Sequence, residues 1–210
     1  GQSEASAKIF ANRIFTLLFA VQVMLLVVAW WFMPEVIAIL APGFKDDPAR
    51  GELAISLTRI TFPYLLLITL VTLYGGMLNV MHRFASAAAA PIFLNLSMMA
   101  TLALAAFFPG AGYAAAWGVL RAGILEFLLL AADAAKSGIL PKFAIPRLDE
   151  DVRAFFRALG PATIGSMGTQ IALFADTIIA TFLPAGALSA LYYADRLNQL
   201  PIGVIGIAIG

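Results

Sequence analysis

Residues 14–33 contain only two polar side chains, Thr16 and Gln22, and run through the adjacent Trp30 and Trp31 near their end. A helix needs about 20 apolar residues to cross a hydrocarbon core of about 30 Å. Tryptophans suit the boundary between hydrocarbon and headgroups. No other feature narrows the possible folds as much, because a stretch this apolar cannot sit on a water-facing surface. Similar stretches follow at residues 60–81, 87–108, 113–132 and 161–183, and another begins at 187–210. The sequence therefore predicts an all-α, polytopic integral membrane protein with about six transmembrane helices. Composition agrees: 62% of residues are hydrophobic and 12% charged, against about 25% charged in a soluble domain. A soluble enzyme and a disordered chain are both excluded on this ground.

The first apolar stretch is too long for a secretory signal and lacks a small-residue cleavage pattern. The chain begins at Gly1 and stops at Gly210 within an apolar run, so the expectation is an internal piece of a longer membrane protein.

Charge sets the expected orientation. Lys8 and Arg13 precede the first span, and Arg83 lies between the second and third. Lys136, Lys142, Arg147, Arg153 and Arg157 lie between the fourth and fifth. These eight share one side, against Lys45, Arg50 and Arg59 in one long opposite loop. Basic loops favour the cytoplasm, which puts the amino end there. Between the fourth and fifth spans, Val152, Phe155, Phe156 and Leu159 repeat at helical spacing. Asp149, Glu150 and Asp151 suit the positive end of the helix dipole, and Arg153 and Arg157 form a basic edge. This predicts either an interfacial helix on the membrane or a helix packed on neighbouring loops. It also marks the expected division: residues 1–135 with four spans, a cytoplasmic linker at 136–160, and 161–210 with two spans, the last truncated.

Soluble-enzyme chemistry finds no foothold. Cysteine is absent, and His82 is the single histidine and lies in a loop, which removes thiol chemistry and histidine metal clusters. Hydrolase, zinc-protease, phosphate-loop and dinucleotide motifs are missing. Ser97 and Ser166 lie in spans without a base nearby in sequence, so an intramembrane enzyme is the least favoured class. The formal net charge of +1 offers no field for nucleic acid.

The informative residues are ionisable groups inside spans, which usually face a cavity or a partner. Asp195 and Arg196 are adjacent, so they point about 100° apart and cannot pair face to face. Arg196 presents a rigid donor fork that matches phosphate; it reads equally as an anion site or an interhelical salt bridge. Asp176 is a candidate site for sodium or a proton, or a partner for a basic residue elsewhere. Arg121 and Glu126, five residues apart, belong on different helix faces, and Glu126 has no assigned partner. Asn79, Asn95 and Gln170 read as interhelical glue. Gly203, Gly206 and Gly210 form a packing stripe, and Pro161 and Pro201 are sites of bending.

Several stretches together resemble the MurJ (MviN) lipid II flippases of bacterial peptidoglycan synthesis. They are Ala41-Pro42-Gly43-Phe44, Arg59-Ile60-Thr61-Phe62-Pro63-Tyr64, Leu78-Asn79 followed by Arg83-Phe84, and Ala90-Pro91 with Leu94-Asn95. Residues 161–170 follow, then Tyr192-Tyr193-Ala194-Asp195-Arg196-Leu197 running into Pro201-x-Gly203. The resemblance implies a two-lobed exporter fold of the multidrug/oligosaccharidyl-lipid/polysaccharide type, with this chain as its third to eighth helices. It implies movement of lipid II from the inner to the outer leaflet of the bacterial cytoplasmic membrane, without a cofactor. Asp195 and Arg196 match the family's functional pair, so Arg196 with Asp195 is the expected pyrophosphate contact. Asp176 is the expected coupling site, with sodium or a proton as the coupled ion. Arg121 departs from the family's usual small residue and inherits no role. The competing expectations are an exporter of another polyprenyl-linked glycan or of a drug, and a non-transporting membrane scaffold for cell-wall enzymes.

Overall fold

The structure is a computed structural model that describes residues 2–145, 147, 149–184, 186–187, 189–194 and 197, with the backbone alone at 2–5 and 169. Among the described residues every long element is a helix. They are α1 (Gln2–Trp31), α2 (Met33–Leu40), α3 (Pro48–Thr61), α4 (Tyr64–Val80), α5 (Ala85–Ala103), α6 (Ala111–Lys136) and α7 (Glu150–Ala180), with short 3-10 turns at Pro42–Asp46 and Ala105–Phe107. The chain divides into two compact units, Gly1–Met33 with Ala54–Pro161, and Pro34–Leu53 with Ala162–Gly210.

Four helical stretches are long and apolar enough to cross a membrane: Ser6–Trp31, Pro48–Val80, Ala85–Ala103 and Ala111–Lys136. They correspond to the first four expected spans. The expected fifth span begins within α7, which runs unbroken from Glu150 to Ala180. Most of the expected sixth span, with Pro201 and the glycine stripe, lies outside the described residues.

Two local expectations are corrected. The supposed loop with Lys45, Arg50 and Arg59 is largely helical. Asp47 caps α3 by accepting the Arg50 N–H at 3.2 Å, and Pro48 at the first helical position lacks only an N–H that would go unused. The helical segment starting near Asp149 does not stop before the expected fifth span; α7 runs through Pro161 without interruption. Gly160 precedes that proline, so the usual clash with a preceding Cβ is absent.

In the first unit, α6 packs most extensively on α5 and next on α4. Small residues allow the approach: Ala114, Ala116, Gly118, Ala122 and Gly123 of α6 are buried. Without a hydrophobic driving force between helices in lipid, close van der Waals contact and interhelical hydrogen bonds hold them together. Ser97 of α5 donates to the Gly118 carbonyl at 2.9 Å. A side chain at Gly118 would run into Thr101 Oγ1 and Met98, and one at Gly123 into the Tyr64 ring. Phe15, Leu70, Val71, Tyr74, Leu78, Ala90 and Leu130 form the buried cluster where α1, α4, α5 and α6 meet.

The segment after α6 is strapped onto α1. The Lys142 N–H donates to Asn12 Oδ1 at 2.8 Å and the Ala144 N–H to Thr16 Oγ1 at 3.0 Å. Phe143 packs against Phe15 and Phe19, with ring centroids 5.2 and 5.3 Å away. Thr16, one of two polar residues in the first apolar stretch, thus has a defined task. In the second unit, the Gly43 N–H donates to Thr181 Oγ1 at 3.1 Å.

Candidate functional site

Asp195 and Arg196 lie outside the described residues. Asp176 is described, on an exposed face of α7. Gln170 shares that exposure. Among the described residues no group of three or more His, Cys, Asp or Glu side chains gathers in one place.

The two charged residues of α6 separate as their spacing predicts. Arg121 is exposed, whereas Glu126 is 2% exposed. Glu126 borders a cavity of about 350 Å³ between α4, α5 and α6. Tyr64, Thr72 and Asn79 of α4 supply the other polar side chains of its wall. Asn79 therefore faces a cavity rather than bonding across helices. Asn95 bonds within its own helix: its amide donates to the Pro91 carbonyl at 3.1 Å.

The serines considered as nucleophiles both donate to backbone carbonyls. Ser97 donates across to α6, and Ser166 donates to the Thr163 carbonyl at 2.9 Å. His82 sits in the turn before α5 with φ 59°, edge-on to Phe84.

Ion pairs that sequence reading missed gather at the loop end shared by α4, α5 and α6. Arg83 Nη2 lies 2.5 Å from Asp133 Oδ1, and Ser86 Oγ donates to Asp133 Oδ2 at 2.5 Å. Asp133 thereby ties the α4–α5 turn to α6. It stands seven residues after Glu126, two turns along nearly the same face. Arg13 of α1 pairs with Asp149, which also caps α7 by accepting the Val152 N–H at 3.0 Å. Phe10 meets Phe155 edge-on at 6.3 Å, and Val152 is fully buried. The start of α7 thus packs on α1, as in the protein-packed reading of this helix. Nearby, Lys8, Asn12 and Lys142 edge a larger, mostly apolar groove of about 700 Å³ with Met77, Val80 and Leu140.

At the opposite end of α1, the Arg59 guanidinium stacks over Trp30, 5.4 Å from its ring centroid. An interfacial tryptophan is a favourable neighbour for a cation of this kind.

The family model described as lipid II flippase MurJ matches residues 1–210. A probable lipid II flippase MurJ of Rhizobium meliloti (strain 1021) is 39% identical over 209 residues, covering 97% of this chain and 39% of the relative. The one from Rhizobium tropici is 37% identical over 209 residues, with coverages of 97% and 39%. The lipid II flippase MurJ of Burkholderia cenocepacia is 34% identical over 180 residues, covering 83% of this chain and 35% of its own length. The chain therefore spans about two fifths of the length of curated relatives such as the first two.

Proposed function

The chain belongs to the lipid II flippase MurJ family, and on that premise we propose that the protein carrying it moves lipid II from the inner to the outer leaflet of the bacterial cytoplasmic membrane. The observation that carries this reading is the family match along the whole chain, joined to four helical stretches able to span a bilayer. The work is transport by alternating access, with no covalent step and no cofactor. Arg196 binds the pyrophosphate of the lipid-linked disaccharide-pentapeptide in an inward-open cavity. Its planar fork suits bidentate phosphate contacts and stays charged in apolar surroundings. Asp195 orients it. The polyprenyl tail stays in the bilayer, which avoids dragging a polar headgroup through hydrocarbon. Asp176 on α7 is the proposed coupling residue, taking sodium or a proton. Residues 1–135 belong to the amino-terminal lobe, 136–160 link the lobes on the cytoplasmic side, and 161–210 open the second lobe. Supporting this arrangement, α7 mixes Gly165, Ser166, Gly168, Gln170 and Asp176 among apolar residues, a composition suited to a helix lining a polar cavity.

The test uses cells depleted of their own lipid II flippase and supplied with the complete protein carrying this chain. Lipid II exposed on the outer leaflet is quantified for wild type, Arg196→Ala and Arg196→Lys at matched membrane levels. Restoration by wild type, loss with alanine and weak rescue by lysine are expected. Restoration by all three would reduce Arg196 to packing. Failure of a well-expressed wild type would overturn lipid II as the substrate.

A further inference from the structure

We propose that Glu126 is a proton-binding site, loaded and unloaded through the slot between α4, α5 and α6. Two independent observations meet there. Glu126 is 2% exposed and its Oε2 is buried without a hydrogen-bond partner. The same side chain borders a cavity of about 350 Å³, large enough to hold several waters.

The slot is long and has polar stations. Along α4 its lining runs from Tyr64 to Asn79, about 22 Å at the rise of an α-helix, with Thr72 between. Pro91 and Ala87 both line the α5 side. Proline has no N–H, so the Ala87 carbonyl is left without its usual helical donor and is available to water. The Asn79 end lies beside the turn that holds Arg83, and Glu126 lies toward the interior of α6. A carboxyl so placed can exchange a proton with water entering from the loop end of the bundle.

No ion-pair partner competes for it among the described residues. Helix α5 contains no ionisable side chain. From α4, Tyr64 faces the slot, while Tyr74 stacks on Phe15 and Phe127. On α6 itself Arg121 is exposed and Asp133 is tied to Arg83 and Ser86. On α3, Arg59 stacks on Trp30. A carboxylate alone in hydrocarbon is costly, and a bound proton removes its charge. The step balances simply: a lone pair on the carboxylate takes a proton from hydronium to form an O–H bond and leave water. Release returns that bond's electron pair to the carboxylate. The neutral form permits dry closure of α4, α5 and α6, and the charged form favours a wet slot.

This inference is separate from lipid II transport, so its test reads the carboxyl itself. The complete protein carrying this chain is reconstituted in liposomes, and infrared difference spectra are recorded across pH in normal and heavy water. The expected result is a protonated-carboxyl carbonyl band that disappears as pH rises, shifts in heavy water, and is absent from Glu126→Gln. Asp176→Asn should retain it. Glutamine keeps the size and neutrality of the protonated side chain; should Glu126→Gln fail to fold, Glu126→Asp must shift the band. A band unchanged in the substituted protein overturns the proposal. So does a carboxyl that responds to sodium at constant pH and not to pH.

Discussion

Gly43 and Thr181, 138 residues apart in sequence, are joined within one unit by a hydrogen bond from the glycine N–H to the threonine hydroxyl. A side chain at Gly43 would overlap the Thr181 backbone and lie 2.7 Å from the Phe182 nitrogen. The obstruction is backbone, which cannot swing aside as a flexible side chain would. Gly43→Ala is expected to destabilise this unit by roughly 1–3 kcal/mol. Thr181→Val removes the hydroxyl that accepts from Gly43 and donates to the Ile178 carbonyl at 2.6 Å, and should cost about 0.5–1.5 kcal/mol. Thermal unfolding in detergent ranks the two; equal losses would mean that close approach does not matter.

The α5–α6 contact makes a second, more local demand. Gly118→Ala brings its new methyl group against Thr101 Oγ1 and within 3.2 Å of Met98 Cα. A loss of roughly 1–3 kcal/mol is expected. Adding Thr101→Ala should recover part of it but not all, because Met98 Cα remains. The coupling from a double-mutant cycle, about 0.5–3 kcal/mol for residues in contact, is the quantity to measure. Strict additivity would contradict the packing described.

Asp133 has two partners, an arginine whose side chain is 48% exposed and the hydroxyl of Ser86. Exposed ion pairs are worth about 0–1 kcal/mol and are screened by salt. Asp133→Asn should therefore reduce stability by no more than about 1 kcal/mol, with the difference shrinking at high ionic strength. A large, salt-independent loss would show that the carboxylate works through something other than Arg83.

Asp149 performs two tasks that substitution can separate. Asparagine caps a helix about as well as aspartate, whereas alanine does not. Asp149→Asn should keep the start of α7 and lose only the pairing with Arg13. Asp149→Ala should lose both, costing about 1 kcal/mol more. Amide hydrogen exchange at Val152 distinguishes them: it should accelerate in the alanine variant and change little in the asparagine variant.

The spans were legible because apolarity persists for a membrane's thickness at 14–33, 60–81, 87–108 and 113–132, and no packing detail is needed to read that. The split between Arg121 and Glu126 was legible for a similar reason, since five residues of helix fix two directions. What escaped was set by capping and by distant partners. Lys45, Arg50 and Arg59 suggested a loop, although the Asp47–Pro48 start signal for a helix lay among them. Pro161 suggested an interruption, although Gly160 relieves the clash that would have caused one. The Arg83–Asp133 tie has no periodic signature, because two residues separated by 50 positions obey no common spacing. The candidate substrate pair Asp195–Arg196 was legible only through family likeness.

The same separation gives Arg83 a history as well as a position. Asp133 leaves the ribosome 50 residues later, roughly 3–10 s at ordinary elongation rates. Through that interval the arginine has no Asp133 to meet and stays hydrated, a free positive charge on the turn between two freshly made hydrophobic helices. Basic residues in short loops are as a rule a topology signal, and this one is unpaired while the hairpin is made. Once α6 arrives, Asp133 takes up the guanidinium and the signal becomes a fastening. One side chain is thus a free charge while the α4–α5 hairpin is made and a tie to α6 once that helix follows.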